Sequence, residues 1–313
     1  MMYIPDFFLV GAAKAGTTAL QQALDAHPDI YMSPLKEPNF FCSDIEPKNL
    51  NTDLKKKLEA DHIEDWIQSG MPNSRWRAYL RDEKLYSALF APALATQVTG
   101  EASVSYLYST KAAENIHTAK PNAKIIMILR NPIERSWSHF LMEVRLGIVD
   151  PSFKDAFEST AKIQHPLWGN NPLFLHAGLY NEQIKRYQKL FNQSQLHIII
   201  YDNYRNNPQE VLKKVYLFLG VDPAKADLSI ALKRNNEART GVLDKAIPSG
   251  SLKVKFRKFA KRLGIHSLLK NILTKPSYSK PNEAEKNLLT AHFSNEIEEL
   301  EKTLNLDLSD WKK

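Results

Sequence analysis

The amino-acid sequence predicts an α/β protein with a central, mainly parallel sheet flanked by helices. Continuous apolar runs at 7–10 and 125–129, and a largely apolar run at 196–201, are typical of parallel strands that are buried on both faces. Stretches with helical spacing of apolar residues separate these runs, as crossover connections between parallel strands require. The fold prediction depends on this alternation.

One domain is the simplest organisation for a chain of this size. Its 313 residues are 43% hydrophobic, which suits one large core. We expect a single domain over 1–313, with a helical insertion at about 48–90 and a basic segment at about 251–275. Aromatic residues of the insertion, such as Trp76 and Tyr79, either stack on a ligand or pack in the core.

The first strand is followed by a loop of small residues that holds one lysine. The loop runs from Gly11 to Gly16 with Lys14 between them, and Thr17 and Thr18 open a helix. Small residues let backbone N–H groups approach a ligand, and the positive end of the helix dipole lies at the same point. The pattern predicts a site for phosphate or a similar anion. The common nucleotide-binding loop places its Lys directly after the second Gly, so a plain strand-to-helix turn with a solvated Lys is the alternative.

A second candidate anion ligand follows the strand at 125–129. Arg130 stands at the carboxyl end of that strand, Pro132 suits the first turn of a helix, and Ser138 lies about two turns into it. A guanidinium supplies forked donors that match a phosphate. The alternative is an Arg that caps the sheet edge and a Ser on a helix face. His139 is a possible base, although a helix His beside an aromatic residue is more often packed or exposed.

A candidate base lies in an extended loop after a short strand at 30–32. Pro34 and Pro38 disfavour helix there, and Glu37 stands between them. Loops of this kind border the ligand crevice of open α/β sheets. The alternative is a solvated loop charge. Glu101 is a reserve candidate for a base or an acceptor-binding group.

These motifs resemble those of sulfotransferases that use 3′-phosphoadenosine 5′-phosphosulfate (PAPS). The run Lys-Ala-Gly-Thr-Thr-Ala-Leu from Lys14 resembles their 5′-phosphosulfate loop, and Glu37-x-x-Phe-Phe resembles their base motif. The block from Arg130 to Ser138 resembles their 3′-phosphate motif. The likeness is closest to the carbohydrate branch, which includes heparan sulfate enzymes and bacterial relatives. It spans most of the chain and implies the P-loop NTPase-like sulfotransferase fold.

The resemblance also implies a role for each residue. Lys14 would contact the oxygen that bridges sulfate and phosphate, and Glu37 would take the proton of the acceptor. Arg130 and Ser138 would hold the 3′-phosphate, which distinguishes PAPS from ATP. The remaining donor contacts would come from Ala15, Gly16, Thr17, Thr18, Arg239 and Gly241.

The implied reaction moves a sulfuryl group from PAPS to a hydroxyl or amine of a carbohydrate or glycolipid, leaving 3′-phosphoadenosine 5′-phosphate (PAP). It would be an in-line displacement without a metal, since no His/Cys cluster has ligand spacing. Two alternatives stay open. One is a P-loop kinase or nucleotide hydrolase that uses Mg²⁺. The other is a non-catalytic protein that binds a nucleotide or a membrane surface.

Composition and sequence patterns limit the cellular location and the binding partners that we expect for this protein. Cys42 is the single cysteine, so no internal disulfide forms. The sequence has no signal-peptide pattern near its start and no apolar run of 18 residues, and we expect a cytoplasmic protein. We predict a small-molecule or glycan acceptor and no nucleic-acid partner.

The net charge of +7 is concentrated in the basic segment. Eight of the 42 Lys and Arg residues lie there, which leaves 34 basic against 35 acidic residues elsewhere. Leucine and phenylalanine residues are interleaved with these cations, which predicts an amphipathic helix that contacts an anionic acceptor or an anionic membrane surface. The alternative is a solvated helix with one face in the core.

Overall fold

The computed structural model describes residues 2–227 and 280–312, and a five-stranded parallel sheet lies at its centre. The strands of this sheet are β1 (Phe7–Gly11), β2 (Ile30–Met32), β5 (Val98–Ala102), β6 (Lys124–Leu129) and β7 (Leu196–Ile200). Two short strands, β3 (Leu35–Lys36) and β4 (Arg75–Trp76), pair with each other in parallel. The predicted fold class is confirmed.

The order of the central sheet is β2-β5-β1-β6-β7, with every neighbouring pair parallel. β1 holds the middle position because all five of its residues are apolar or small and are buried. The chain first builds the β2 and β5 side of β1 and then crosses to β6 and β7 on the other side. This change of direction leaves a crevice at the carboxyl end of β1, where ligands of such sheets bind.

Helices cover the sheet and connect its strands. They are α1 (Thr17–Asp25), α2 (Thr52–Ala60), α3 (Ile63–Gln68), α4 (Glu83–Ala88), α5 (Ser105–Tyr108), α6 (Ala112–Ala119), α7 (Pro132–Arg145), α8 (Phe153–Ala161), α9 (Tyr180–Gln188), α10 (Tyr201–Asn206), α11 (Pro208–Leu219) and α12 (Glu283–Leu304). As expected, Pro132 opens α7, whose first turn is capped by the Asn131 side chain. Gly220, at φ 86°, ends α11.

The region at 48–90 is only partly helical. It contains α2, α3 and α4, but Arg75 and Trp76 form β4 where helical spacing was expected. The strand forms because Arg75 and Arg77 donate their N–H groups to the carbonyls of Pro34 and Lys36, at 2.9 and 2.7 Å. Sequence periodicity does not register such a long-range pairing. The pairing of β3 with β4 brings the residues near position 76 beside the loop that holds the predicted base, Glu37.

The carboxyl-terminal part of the described chain packs against α7 and α9 through α12. Asn282 and Glu285 form a capping box at the start of α12. Trp311 is buried, and its carbonyl accepts from the Asn131 side chain at 3.1 Å. This contact ties the end of the chain to the start of α7.

Several predictions from the sequence fall on parts of the chain that are not described. Arg239, Gly241 and the basic segment at 251–275 lie outside residues 2–227 and 280–312. In those two ranges, no helix combines the length and the hydropathy that crossing a bilayer would take.

Glu101, the reserve candidate, is not available to an acceptor. Its side chain is fully buried, and the hydroxyls of Tyr86, Tyr106 and Ser103 donate to its carboxylate at 2.7–2.8 Å. The Tyr106 hydroxyl also accepts from the Phe40 N–H at 3.0 Å. The prediction of Glu101 as a reserve base or acceptor-binding group is therefore wrong. Its carboxylate lies in the core and supports the loop after β3 through the Tyr106 hydroxyl.

We expect Glu101→Gln to change how stability depends on pH. Burial raises the pKa of Glu101 from 4.5 to about 7, although the three hydroxyls act in the opposite direction. A carboxyl whose pKa is raised on folding contributes stability below pH 4.5, and this contribution is lost as pH rises through 7. Gln cannot ionise, so from pH 5 to pH 8 the wild type should lose about 2 to 3 kcal/mol relative to the variant.

Urea unfolding at the two pH values measures this difference. The exposed Glu59→Gln on α2 is the matched control and should follow the wild type. Parallel pH profiles for the wild type and Glu101→Gln would contradict the assignment.

Candidate active site

The loop between β1 and α1 presents unpaired backbone N–H groups to the crevice. Gly16 precedes α1 with φ 92°, no side chain caps the helix, and its first turn has no acidic residue. Within the ranges described, no backbone carbonyl accepts from the N–H groups of Gly16, Thr17 and Thr18. Unpaired N–H groups at the positive end of a helix dipole form an anion site. The loop therefore has the geometry of an anion site, and the binding of a phosphate there stays a prediction.

Gly16 is required at its position for two reasons. Its φ lies in the left-handed region, and a Cβ there would stand 2.8 Å from a ring carbon of Tyr201. Tyr201 follows β7 and also lies under the Arg130 guanidinium, 5.1 Å from the ring centroid. Tyr201 was not among the predicted site residues, because its packing against the loop depends on β7 and β1 lying in one sheet.

Lys14 is the cation at the centre of the loop. Burial, followed by the positive charges of Arg145, Arg130, Arg135 and Lys36, lowers its pKa to about 8. None of the described carboxylates pairs with it. Because this half-buried ammonium lies among other cations and has no counter-ion among the described residues, an anionic ligand would stabilise it.

Arg130 reaches the loop that holds Lys14. Its guanidinium donates to the Lys14 carbonyl at 3.5 Å and forms an ion pair with Glu134 at 2.7 Å. A phosphate bound here would compete with Glu134 for the same donors. Ser138 is half-buried on α7, and its hydroxyl has no hydrogen-bond partner in the described part of the chain. The two predicted anion motifs thus converge through Arg130.

Glu37 is held in a fixed position at the end of β3. It is 4% exposed and adopts φ 59°, and its N–H donates to the Ala102 carbonyl at 2.9 Å. The Asn39 side chain donates to the Glu37 carbonyl at 2.7 Å. Arg77 Nε donates to the Glu37 carboxylate at 3.0 Å. The predicted base is therefore an ordered carboxylate beside a guanidinium, and not a solvated loop charge.

Lys36 connects the base loop to the anion loop. Its Nζ donates to the Thr18 hydroxyl at 2.5 Å and lies 4.5 Å from the centroid of the Trp76 ring. Lys36 and Arg77 were not among the predicted site residues. The position of Lys36 directly before Glu37 was the available signal, but a two-residue strand shows no periodicity that would orient it.

His139 is not a base in this arrangement. Arg135, which can only donate, bonds to His139 Nδ1 at 3.0 Å, and His139 Nε2 lies 3.3 Å from Glu143. Nδ1 therefore accepts, and Nε2 carries the proton that faces Glu143. Burial, followed by the charges of Arg135 and Lys14, keeps the pKa of His139 well below its ordinary value. Both ring nitrogens are occupied, as in a packed histidine.

Comparisons with known proteins agree with this geometry. The sequence model of the sulfotransferase family matches residues 5–225, well over half of the chain. The crystal structure of a sulfotransferase from Alicyclobacillus acidocaldarius superposes with a TM-score of 0.68 at 27% identity, over 99% of this chain and 100% of that one.

Curated relatives include two human proteins. Carbohydrate sulfotransferase 15 is 22% identical over 70% of this chain and 44% of its own length. Heparan sulfate glucosamine 3-O-sulfotransferase 6 is 25% identical over 71% of this chain and 54% of its own length. The chain spans about half the length of these relatives. The resemblance to carbohydrate and bacterial sulfotransferases is confirmed, and the chain belongs to the sulfotransferase family.

Proposed function

We propose that the protein transfers a sulfuryl group from PAPS to a hydroxyl or amine of a carbohydrate acceptor. The observation that carries this proposal is the contact of the Arg130 guanidinium with the loop of Lys14, at 3.5 Å from its carbonyl oxygen. This contact places two anion-binding groups in one crevice. PAPS requires two such groups, because it carries one phosphate at its 3′ position and another at its 5′ position. The names of the carbohydrate sulfotransferase relatives support the acceptor class.

The residues of the crevice fit such a donor. The N–H groups of Gly16 to Thr18 and the hydroxyls of Thr17 and Thr18 would hold the 5′-phosphate. Arg130 and Ser138 would hold the 3′-phosphate, with the guanidinium released from Glu134. The unpaired ammonium of Lys14 would face the oxygen between phosphate and sulfur. Each of these groups donates, as binding to phosphate and sulfate oxygens requires.

Glu37 would act as the general base. As the acceptor oxygen or nitrogen forms its bond to sulfur, Glu37 takes the proton and the bond from sulfur to the phosphate oxygen breaks. Lys14 balances the negative charge that develops on the departing phosphate. Arg77 holds the Glu37 carboxylate in place through its Nε.

The kinase alternative is less well supported by the residues at the strand ends. A P-loop kinase or hydrolase uses an acidic residue at the end of a neighbouring strand. The residue after β6 is Arg130, and the acidic residue near the end of β5 is Glu101, which is enclosed by three hydroxyls.

The cytoplasmic location and the membrane contact of the basic segment stay predictions.

Glu37→Gln should reduce turnover by about 10²–10⁴-fold without changing PAP affinity. Gln keeps the shape of the side chain but cannot accept a proton, and positioned general bases contribute about 10²–10⁴-fold to rate. Labelled PAPS with a panel of glycans, lipids and phenols identifies an acceptor, and calorimetry with PAP measures binding. Glu46→Gln, on an exposed ion pair with Lys48, is the control. A non-catalytic binding protein would show no transfer in the wild type either.

PAP affinity should fall as pH rises above about 8. Burial lowers the pKa of both Lys14 and Lys36 to about 8, so the free enzyme loses two positive charges near this pH. The loss approaches a hundredfold per pH unit if both protons are required. Calorimetry with PAP from pH 7 to 9.5 measures it. Lys14→Arg should leave one titrating group and a shallower slope, and constant affinity to pH 9.5 would contradict the assignment.

A further inference from the structure

Lys36 is a buried cation at the first turn of α1. Its side chain is only 6% exposed, and its Nζ lies 2.5 Å from Thr18 Oγ1. The N–H groups of Thr17 and Thr18, in the same first turn, donate to no backbone carbonyl of the described residues. The ammonium therefore stands beside an anion site that belongs to a different segment of the chain.

No described carboxylate forms an ion pair with Lys36. The neighbouring Glu37 pairs instead with Arg77, at 3.0 Å. Lys36 and Trp76 are partners in the parallel pairing of β3 and β4, which holds the indole ring 4.5 Å from Nζ. The Trp76 side chain is 51% exposed, so this pair lies at the rim of the crevice.

The donors of the ammonium can be counted. Lys has three N–H donors. One of them bonds to Thr18, and the face of Trp76 accommodates a second. The third has no partner in the described part of the chain. A buried charge that lacks a counter-ion is costly, and a bound anion removes that cost.

We propose that Lys36 is a second cationic ligand of the 5′-phosphosulfate end of the donor. The inference rests on the proposed function, and it adds a contact from β3 to the ligands supplied by the β1–α1 loop and α7. The third N–H of Lys36 donates to an oxygen of the phosphate or the sulfuryl group, while Thr18 donates its own proton to the same group. The end of β3 thereby supplies Lys36 as a ligand of PAPS and, at the next position, Glu37 as the base.

The test compares ligands that differ in whether the 3′ or the 5′ position carries a phosphate. PAP carries phosphates at 3′ and 5′, adenosine 3′-phosphate lacks the 5′-phosphate, and adenosine 5′-phosphate lacks the 3′-phosphate. Lys36→Met should weaken PAP and adenosine 5′-phosphate about tenfold or more, in the range of a charged hydrogen bond, and should leave adenosine 3′-phosphate within about twofold. Competition calorimetry measures all three affinities.

Two further variants separate charge from structure. Lys36→Gln keeps a donor for the Thr18 hydroxyl but has no charge, and it should show the same selective loss as Lys36→Met. Lys111→Met removes one charge from a surface ion pair with Glu114 and should change none of the affinities.

Equal loss of both monophosphates in Lys36→Met and Lys36→Gln, or no loss of PAP affinity, would overturn the role of Lys36. Arg130→Met tests the other end, because it should weaken PAP and adenosine 3′-phosphate but not adenosine 5′-phosphate. A wild type that binds PAP no better than either monophosphate would refute the proposed function itself. The two failures are therefore distinguishable.

Discussion

The crevice of this protein depends on positive charge that no ion pair with a described carboxylate balances. Lys14 is half-buried and Lys36 is buried, neither forms an ion pair within residues 2–227 and 280–312, and the first turn of α1 has neither a side-chain cap nor an acidic residue. Such charge costs stability in the free protein. Binding of an anion with several oxygens offsets this loss of stability. A site that is preorganised in this way also stabilises negative charge that develops during a reaction.

The parallel sheet makes this concentration of charge possible. β1 lies between β5 and β6, so the loop after β1 meets the residues after both neighbours at one edge. Arg130 comes to the loop from β6, and Glu37 is attached to the end of β5 through the Ala102 carbonyl. The side chains that would bind the donor and activate the acceptor are thus mounted on a rigid core, which limits their freedom before any ligand arrives.

Two buried polar side chains near the crevice, Glu101 and His139, follow the opposite rule, since other protein groups occupy their hydrogen-bonding atoms. Glu101 accepts from three hydroxyls, and His139 is held between Arg135 and Glu143. These groups resemble candidates for acid–base chemistry when seen only as residue types. Their hydrogen bonds show that they support the loops instead, because a group whose donors and acceptors are all occupied is not free to exchange a proton with a ligand.

The sequence by itself determined the fold class, and it predicted an anion loop at Lys14, a strand-end anion ligand at Arg130 and a base at Glu37. These follow from local patterns: apolar runs, small residues before a helix, and Pro on both sides of a charge. Only the tertiary structure decided that Lys36 reaches Thr18, that Arg77 orders Glu37, that Tyr201 packs on Gly16 and that Glu101 is enclosed. Each of these contacts joins segments on different strands, and a two-residue strand such as β3 or β4 has too little periodicity for one chain segment to reveal its partner.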